Sequence, residues 1–321
     1  MFPTASAARD ARVASVTVAF NPDPVRLAMQ AAGLARQVDE IYIVDNGSNP
    51  SVRSILARPE VAAQLGAAPA IRVLEIAQNK GIAHAFNCGV DAADKGGASF
   101  ALLLDDDSIP AANMVQRLMA AHQQAAADNP AKAVAAVGPR IIDPRDAYEY
   151  PFIRLGWLRN AHLRRTDGGA KTIACDFLIS SGSLFAISAF DTIGRFEDAL
   201  FIDNVDFEWC CRARAADFLL FGVCDATLDH RLGDERRIVL NRFSLVVHSP
   251  SRVYYQTRNR LLLYRRGYVP LKWKLKDMLR MTARFVAIML FVAPRMAYLR
   301  MTLLATLDGI ANRGGKLDES G

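Results

Sequence analysis

Phe100-Ala101-Leu102-Leu103-Leu104-Asp105-Asp106-Asp107, followed at once by Ser108-Ile109-Pro110, is an apolar run that ends in three carboxylates. A short continuous apolar run of this kind reads as a buried strand, and it carries the acids to its C-terminal tip. Adjacent carboxylates repel one another, and removing them from water is costly unless a cation neutralises them. A hard divalent ion with oxygen ligands is the natural partner, and such ions commonly bring substrate phosphates with them. The competing explanation is a helix cap, with Asp107 or Ser108 opening a helix over Ala111–Ala126 and Pro110 in its first turn. Capping accounts for one acid and leaves two over.

Upstream of this tip the chain alternates between two periodicities. Val13–Phe20, Ile41–Val44 and Ile71–Ile76 read as strands, and Pro24–Gln37, Pro50–Gln64 and Ile82–Lys95 have helical spacing. The βαβαβαβ order predicts an α/β fold with a parallel sheet and helices on both faces, whose ligands bind outside the carboxyl ends of the strands. Polar residues follow every strand: Asn21, Asp45, Asn79 and the acids 105–107. The first strand leads into Asn21-Pro22-Asp23-Pro24, where a dinucleotide-binding turn needs GxGxxG, and no GxxxxGK[ST] occurs. These two absences argue against a dehydrogenase and a P-loop enzyme. Downstream, Ala133–Val137 reads as a strand and Asp143–Lys171 as loops or a small hairpin. Ile173–Ser180 and Leu184–Ile187 read as strands paired across Ser181-Gly182-Ser183.

The bulk numbers set the frame. A chain of 321 residues, 51% hydrophobic, can bury a large core as one elaborated domain or as a domain plus an appendage. Five cysteines without CxxC spacing read as reduced thiols of a cytoplasmic protein, and Met1–Arg12 shows no secretory signal. The net charge of +6 is concentrated at the end: from Arg252 onward there are fourteen Lys/Arg against four Asp/Glu. Such a tail suits a nucleic acid or a membrane surface. No zinc-finger or RNP-like motif accompanies it, so nucleic acid is not the expected partner. Phe285–Ala293 is apolar but shorter than the ~20 residues that span a bilayer. Flanked by Lys272, Lys274, Lys276, Arg280, Arg284, Arg295 and Arg300, it fits a helix lying on anionic lipid, and equally a helix packed on the main domain with a solvated basic face.

Ile43-Val44-Asp45-Asn46-Gly47-Ser48, Asn79-Lys80-Gly81 with Asn87 and Gly89, and Asp105-Asp106-Asp107 together resemble the nucleotide-binding half of the inverting GT-A glycosyltransferases of family 2. The later block Phe177–Ser183, Ile193–Phe196, Leu200–Trp209 and Arg212 is similar to the rhamnosyltransferase branch, and it is the more restrictive part. The resemblance covers residues 13–268. It implies a GT-A catalytic domain over 1–250, with a nucleotide-sugar half at 13–127 and an acceptor half of mixed strands at 128–250. A basic helical segment follows at 251–321.

The resemblance also implies roles for particular residues. Phe20, Asn21, Asp45, Asn79, Gly81, Asp105, Asp106 and Arg258 would face the donor. Asp107 and His230 would hold Mg²⁺ or Mn²⁺. Glu208 and Trp209 are the acceptor candidates, with core packing the favoured reading of Trp209. Inversion needs one base for the acceptor hydroxyl. In many relatives it is the second acid of a pair, but here that position is Asn204, which cannot take a proton. The role is therefore expected at Asp203, with Asp206 next. The implied donor is dTDP-L-rhamnose, with UDP-galactofuranose or a UDP-hexose as alternatives and a sugar nucleotidyltransferase as the other enzyme class. The implied acceptor is a lipid-linked or polymeric glycan at the cytosolic membrane face, and the chain is open to oligomerisation.

Overall fold

The computed structural model describes residues 11–65, 71–164, 171–231, 236–239, 243–246 and 248–317, the two short stretches 236–239 and 243–246 as backbone only. Four strands form the parallel half of the sheet: β1 (Val13–Ala19), β2 (Glu40–Asp45), β3 (Ile71–Glu75) and β4 (Phe100–Asp105), side by side as β3-β2-β1-β4. Helices α1 (Pro24–Leu34), α2 (Val52–Leu56), α3 (Pro59–Leu65) and α4 (Ile82–Lys95) connect them. The single helix expected over 50–64 is two, because Pro59 disfavours helical geometry at Arg58 and starts a new helix itself. Alternation along β4 decides the layers. Ala101 and Leu103 face α4, whereas Leu102 and Leu104 face α1 and α5 (Met114–Asp128).

Helix α5 begins at Met114, seven residues beyond Asp107, so neither Asp107 nor Ser108 caps it. The acids are followed instead by β5 (Ile109–Pro110). Beyond α5 lie β6 (Val134–Asp143), β7 (Tyr148–Glu149), β8 (Phe152–Arg154), β9 (Ala161–Leu163), β10 (Thr172–Ala174) and β11 (Leu184–Ala186). Strands β8 and β9 form the small hairpin expected within 143–171, of which 165–170 lie outside the described residues.

The pairing expected between 173–180 and 184–187 does not form. β11 lies antiparallel between β4 and β6, and β10 pairs with β12 (Leu219–Asp229) at the sheet edge. The Ser181–Ser183 turn therefore feeds the centre of the sheet, where Gly182 N–H bonds Leu103 O at 2.7 Å. The outcome is a mixed α/β sheet of GT-A character. Its first four strands are parallel, and β12 runs parallel to β6 on the other side of β11.

Helices α6 (Ile187–Ile193) and α7 (Val205–Ala215) pack on the second half of the sheet, at β11 and β12. A hairpin of β13 (Arg236–Val239) and β14 (Phe243–Val246) precedes α8 (Pro250–Tyr264), α9 (Leu271–Phe291) and α10 (Arg295–Ile310). Two residues singled out by the sequence have structural reasons. Asn87 joins α4 to the loop before α7, donating to Phe196 O and Asp198 Oδ1 and accepting from Phe196 N. Gly89 lets α4 lie against β1, where a Cβ would stand 2.1 Å from Val16 Cγ1.

Candidate active site

The carboxyl ends of β1 to β4 converge through their own side chains. Asn21 N–H donates to Ser48 Oγ and its side-chain oxygen accepts from Asn49 N, while Asn46 Nδ2 donates to Asn79 Oδ1. Phe20 N–H donates to Asp106 Oδ2 at 3.1 Å, and the Phe20 ring is half exposed at the rim. Asp45 is 3% exposed, and its two carboxylate oxygens accept from Ser48 N and Val52 N, each at 2.8 Å. It organises the β2 loop and retains only the lone pairs that these bonds leave for a ligand.

Gly81 is at φ +93°, and a Cβ there would lie 2.4 Å from Phe201 O. That close approach lets Ile82 N–H bond Phe201 O at 2.7 Å, so the start of α4 is docked on the loop that carries Asp203.

The acid tip meets His230 through a two-residue ladder. Ile109 and Pro110, just after the acids, pair with Asp229 and Leu228, just before the histidine, and His230 N–H bonds Ile142 O. The imidazole, 4% exposed, is thereby set between two carboxylates: Nε2 is 3.3 Å from Asp105 Oδ2, and Nδ1 is 3.0 Å from Asp107 Oδ1. Burial opposes its protonation, but the two acids outweigh this and push its pKa up to about 9. Asp107 moves the other way. Burial raises its pKa, and the hydrogen bond and charge of His230, with the nearby Arg26, more than reverse that. Asp106 is pushed up to about 7, mainly by burial and then by the charges of its two neighbours.

Asp105, Asp107 and His230 each offer a ligand atom, and these lie within 4.8 Å of one another. Asp105 Oδ1 is buried without a hydrogen-bond partner among the described residues. Two carboxylates, one with an unpaired buried oxygen, and an imidazole that gives up its proton fit Mg²⁺ or Mn²⁺. The structure thus adds Asp105 to the expected pair of Asp107 and His230.

Residues that sequence reasoning missed hold this turn in place. Gln30 Nε2 donates to Asp105 O at 2.7 Å and Ser108 O at 2.6 Å. Arg26 donates to Asp107 O, and Ser181 Oγ accepts from Asp105 N. The signal was a glutamine on the apolar face of α1, among Leu27, Ala31 and Leu34.

The second group of acids lies at the start of α7. Phe201, Asp203 and Asn204 all have positive φ (62°, 65° and 62°), a conformation unfavourable for non-glycine residues. Asn259 clamps this strained turn, aiming its amide nitrogen at the carbonyls of Leu200, Ile202 and Asp203 at 2.9, 2.7 and 2.9 Å. Asp203 is paired with Arg252, Nε to Oδ2 at 3.2 Å. Asp206, on the first turn of α7, accepts from Phe207 N at 2.8 Å and Ser180 N at 3.4 Å. Burial, with smaller contributions from the charges of Asp105 and Asp203, pushes its carboxyl up to about 6. Asn204 Nδ2 is buried and has no partner among the described residues.

Three expected ligand contacts do not arise. Arg258 is 1% exposed and donates to Ala199 O, Leu200 O and Gly315 O and to Asn259 Oδ1, so its guanidinium is buried on protein acceptors and does not face a diphosphate. Glu208 is fully buried, accepting from Arg212 at 2.6 Å and Tyr268 OH. Trp209 is fully buried among Phe185, Phe190 and Phe196. A basic or aromatic residue looks the same in sequence whether it faces a ligand or a carbonyl. Arg258→Ala should therefore cost about 3 kcal/mol of stability by stranding buried carbonyls, with the donor KM changed less than about threefold. Urea unfolding and donor kinetics check this; unchanged stability with a raised KM would return Arg258 to the donor.

Beside Asp206 a cavity of about 500 Å³ opens, lined by Tyr148, Tyr150, Phe152, His162, Phe177 and Ile179 among others. It shares the 177–183 segment with the backbone that contacts Asp206. The size and aromatic lining fit a small polar molecule with an apolar face.

Comparison with known proteins agrees with this geometry. Residues 25–194 match the family model described as Glycosyl transferase family 2. The dTDP-rhamnosyl transferase RfbF of Shigella flexneri is 27% identical over 304 residues, which cover 94% of this chain and 96% of that protein. Two solved structures share the fold. One is GalNAc-T7 with UDP, GalNAc and Mn²⁺, at 14% identity and a TM-score of 0.58 over 95% of this chain. The other is Staphylococcus aureus TarS 1–349, at 12% and 0.51 over 93% of this chain and 81% of that one. This chain spans about half of the GalNAc-T7 chain, 55% of its length. With the family model matched over more than half of its residues, the chain belongs to glycosyl transferase family 2 and is a glycosyltransferase.

Proposed function

We propose that this enzyme is a metal-dependent, inverting glycosyltransferase that moves L-rhamnose from dTDP-rhamnose to a hydroxyl of a cell-surface glycan or of its lipid-linked precursor. The observation that carries the reading is the meeting of Asp105, Asp107 and His230 at the carboxyl end of the sheet, with Asp206 close enough for the charge of Asp105 to act on it. The likeness to RfbF supports the donor.

The residues divide the work. The β1–β3 loops, with Asn21, Asp45 and Asn79, form the nucleotide side. Asp105, Asp107 and His230 would hold Mg²⁺ or Mn²⁺, which supplies charge neutralisation for a departing diphosphate. Asp206 is the better base of the two candidates, which reverses the order expected from the sequence. Its carboxyl is raised toward neutrality, whereas the Asp203 carboxylate is committed to Arg252. The cavity lined by Tyr148, Tyr150 and Phe152 suits an acceptor sugar stacked on aromatic rings.

A donor panel tests the reading. With Mn²⁺ and a glycan acceptor, dTDP-rhamnose should turn over at least ~10²-fold faster than UDP-galactofuranose, UDP-glucose or UDP-galactose, giving a product of inverted anomeric configuration. Faster turnover with any UDP-sugar would replace the donor, and a retained configuration would remove the single-base mechanism.

A further inference from the structure

Helix α9 is scarcely buried. Of its 21 residues, only Asp277 and Ile288 are buried. Leu271, Leu275, Met278, Leu279, Val286 and Leu290 are all exposed, Leu279 to 74%. At about 100° per residue these positions fall on one face of the helix, opposite Asp277 and Ile288.

The neighbouring loop extends this face. Lys272, one step round the helix from Leu271, donates to Leu155 O. Lys276, one step from Leu275, donates to Gly156 O and Asn160 Oδ1. The two lysines thus hold the 155–160 loop against the flank of α9 and present its tip, Trp157 (67% exposed) and Leu158 (93% exposed), beside the apolar stripe. Monomeric surfaces rarely leave so much contiguous apolar area without a use.

The charges decide what covers it. Arg159, at the loop tip, and Arg280, on the lysine side of the helix, are exposed, as are Arg295 and Arg300 on the next helix. The only acids on α9 and α10, Asp277 and Asp308, are turned inward to Arg260 with Tyr264 and to Tyr254 respectively. No described helix is long and apolar enough to cross a membrane. An exposed apolar ridge with a Trp at its tip, cations alongside and no outward acid is the make-up of an interfacial helix.

We infer that the Trp157–Leu158 loop and the outer face of α9 form one docking edge for an anionic phospholipid bilayer. None of the residues of this edge is a metal or base residue, so the proposal stands or falls independently of the donor and the chemistry.

The full-length protein would be titrated with vesicles of phosphatidylcholine, alone or with about 30% phosphatidylglycerol, and followed by co-sedimentation and tryptophan emission. Binding to the anionic vesicles should be at least ~10-fold tighter, should weaken as salt rises, and should blue-shift emission. The shift should be absent in Trp157→Phe, because Trp209 is already fully buried and Trp273 packs against Phe207 and Tyr264 on the inner side of α9. Trp157→Ser with Leu158→Ser, and separately Leu275→Glu with Leu279→Glu, should each weaken binding about tenfold or more. Melting temperature and donor hydrolysis should be unchanged in both pairs. No binding of the native chain at about 1 mM anionic lipid would overturn the proposal. So would a dimer in solution that the Leu275/Leu279 pair splits, which would assign the face to a second copy.

Discussion

Asp206→Asn should lower kcat by about 10²–10⁴-fold while leaving donor affinity within about twofold, because it removes a proton acceptor and keeps the shape of the side chain. The pH dependence follows from the same group. Burial pushes the Asp206 carboxyl up to about 6, so it is protonated, and unable to act as a base, below that value. Native kcat/KM should therefore fall about tenfold per pH unit below about pH 6, and the residual rate of the Asn variant should lack this limb. Asp203→Asn separates the two candidates. It breaks the pair with Arg252 and should cost about tenfold or less. Should Asp203→Asn lose turnover and Asp206→Asn keep it, the base is the residue that the sequence first indicated, and the Arg252 pair must open during turnover.

Asp107→Asn and His230→Ala should each reduce transfer by about 10³-fold, the several kcal/mol that charge neutralisation at a departing diphosphate is worth. Rate alone does not identify a metal ligand, so binding gives the second readout. Mn²⁺ should raise the melting temperature of the native protein and leave both variants unmoved. His230, pushed up to about 9 between its two acids, carries a proton at neutral pH until a cation displaces it. Calorimetry in buffers of different ionisation enthalpy should accordingly show about one proton released per Mn²⁺ bound at pH 7. Native turnover that survives EDTA, or a Mn²⁺ response retained by His230→Ala, would remove the metal centre.

Much of the parallel half of the sheet was legible along the chain. The helix over Ile82–Lys95 and the strand ending in Asp105 follow from local periodicity alone. The acids at the strand tip then sit where a parallel sheet binds ligands. The clamp on the strained turn at 201–204 was half legible. Arg258 stood out in sequence, but an arginine suits a phosphate contact and a bond to a buried carbonyl alike. Gln30 and Ser181 gave almost no signal, because their role is to accept or donate to backbone atoms of a distant loop.

The sequence by itself determined the parallel β1–β4 core, the acid cluster and the basic, amphipathic end of the chain, because hydrophobic period and charge are properties of neighbouring residues. Tertiary structure alone decided three things: that β11 inserts between β4 and β6, that the β5–β12 ladder carries His230 onto Asp105 and Asp107, and that Arg258, Glu208 and Trp209 are structural. Each depends on which distant segment supplies a partner. A buried polar group must find one, but its own sequence neighbourhood does not say which.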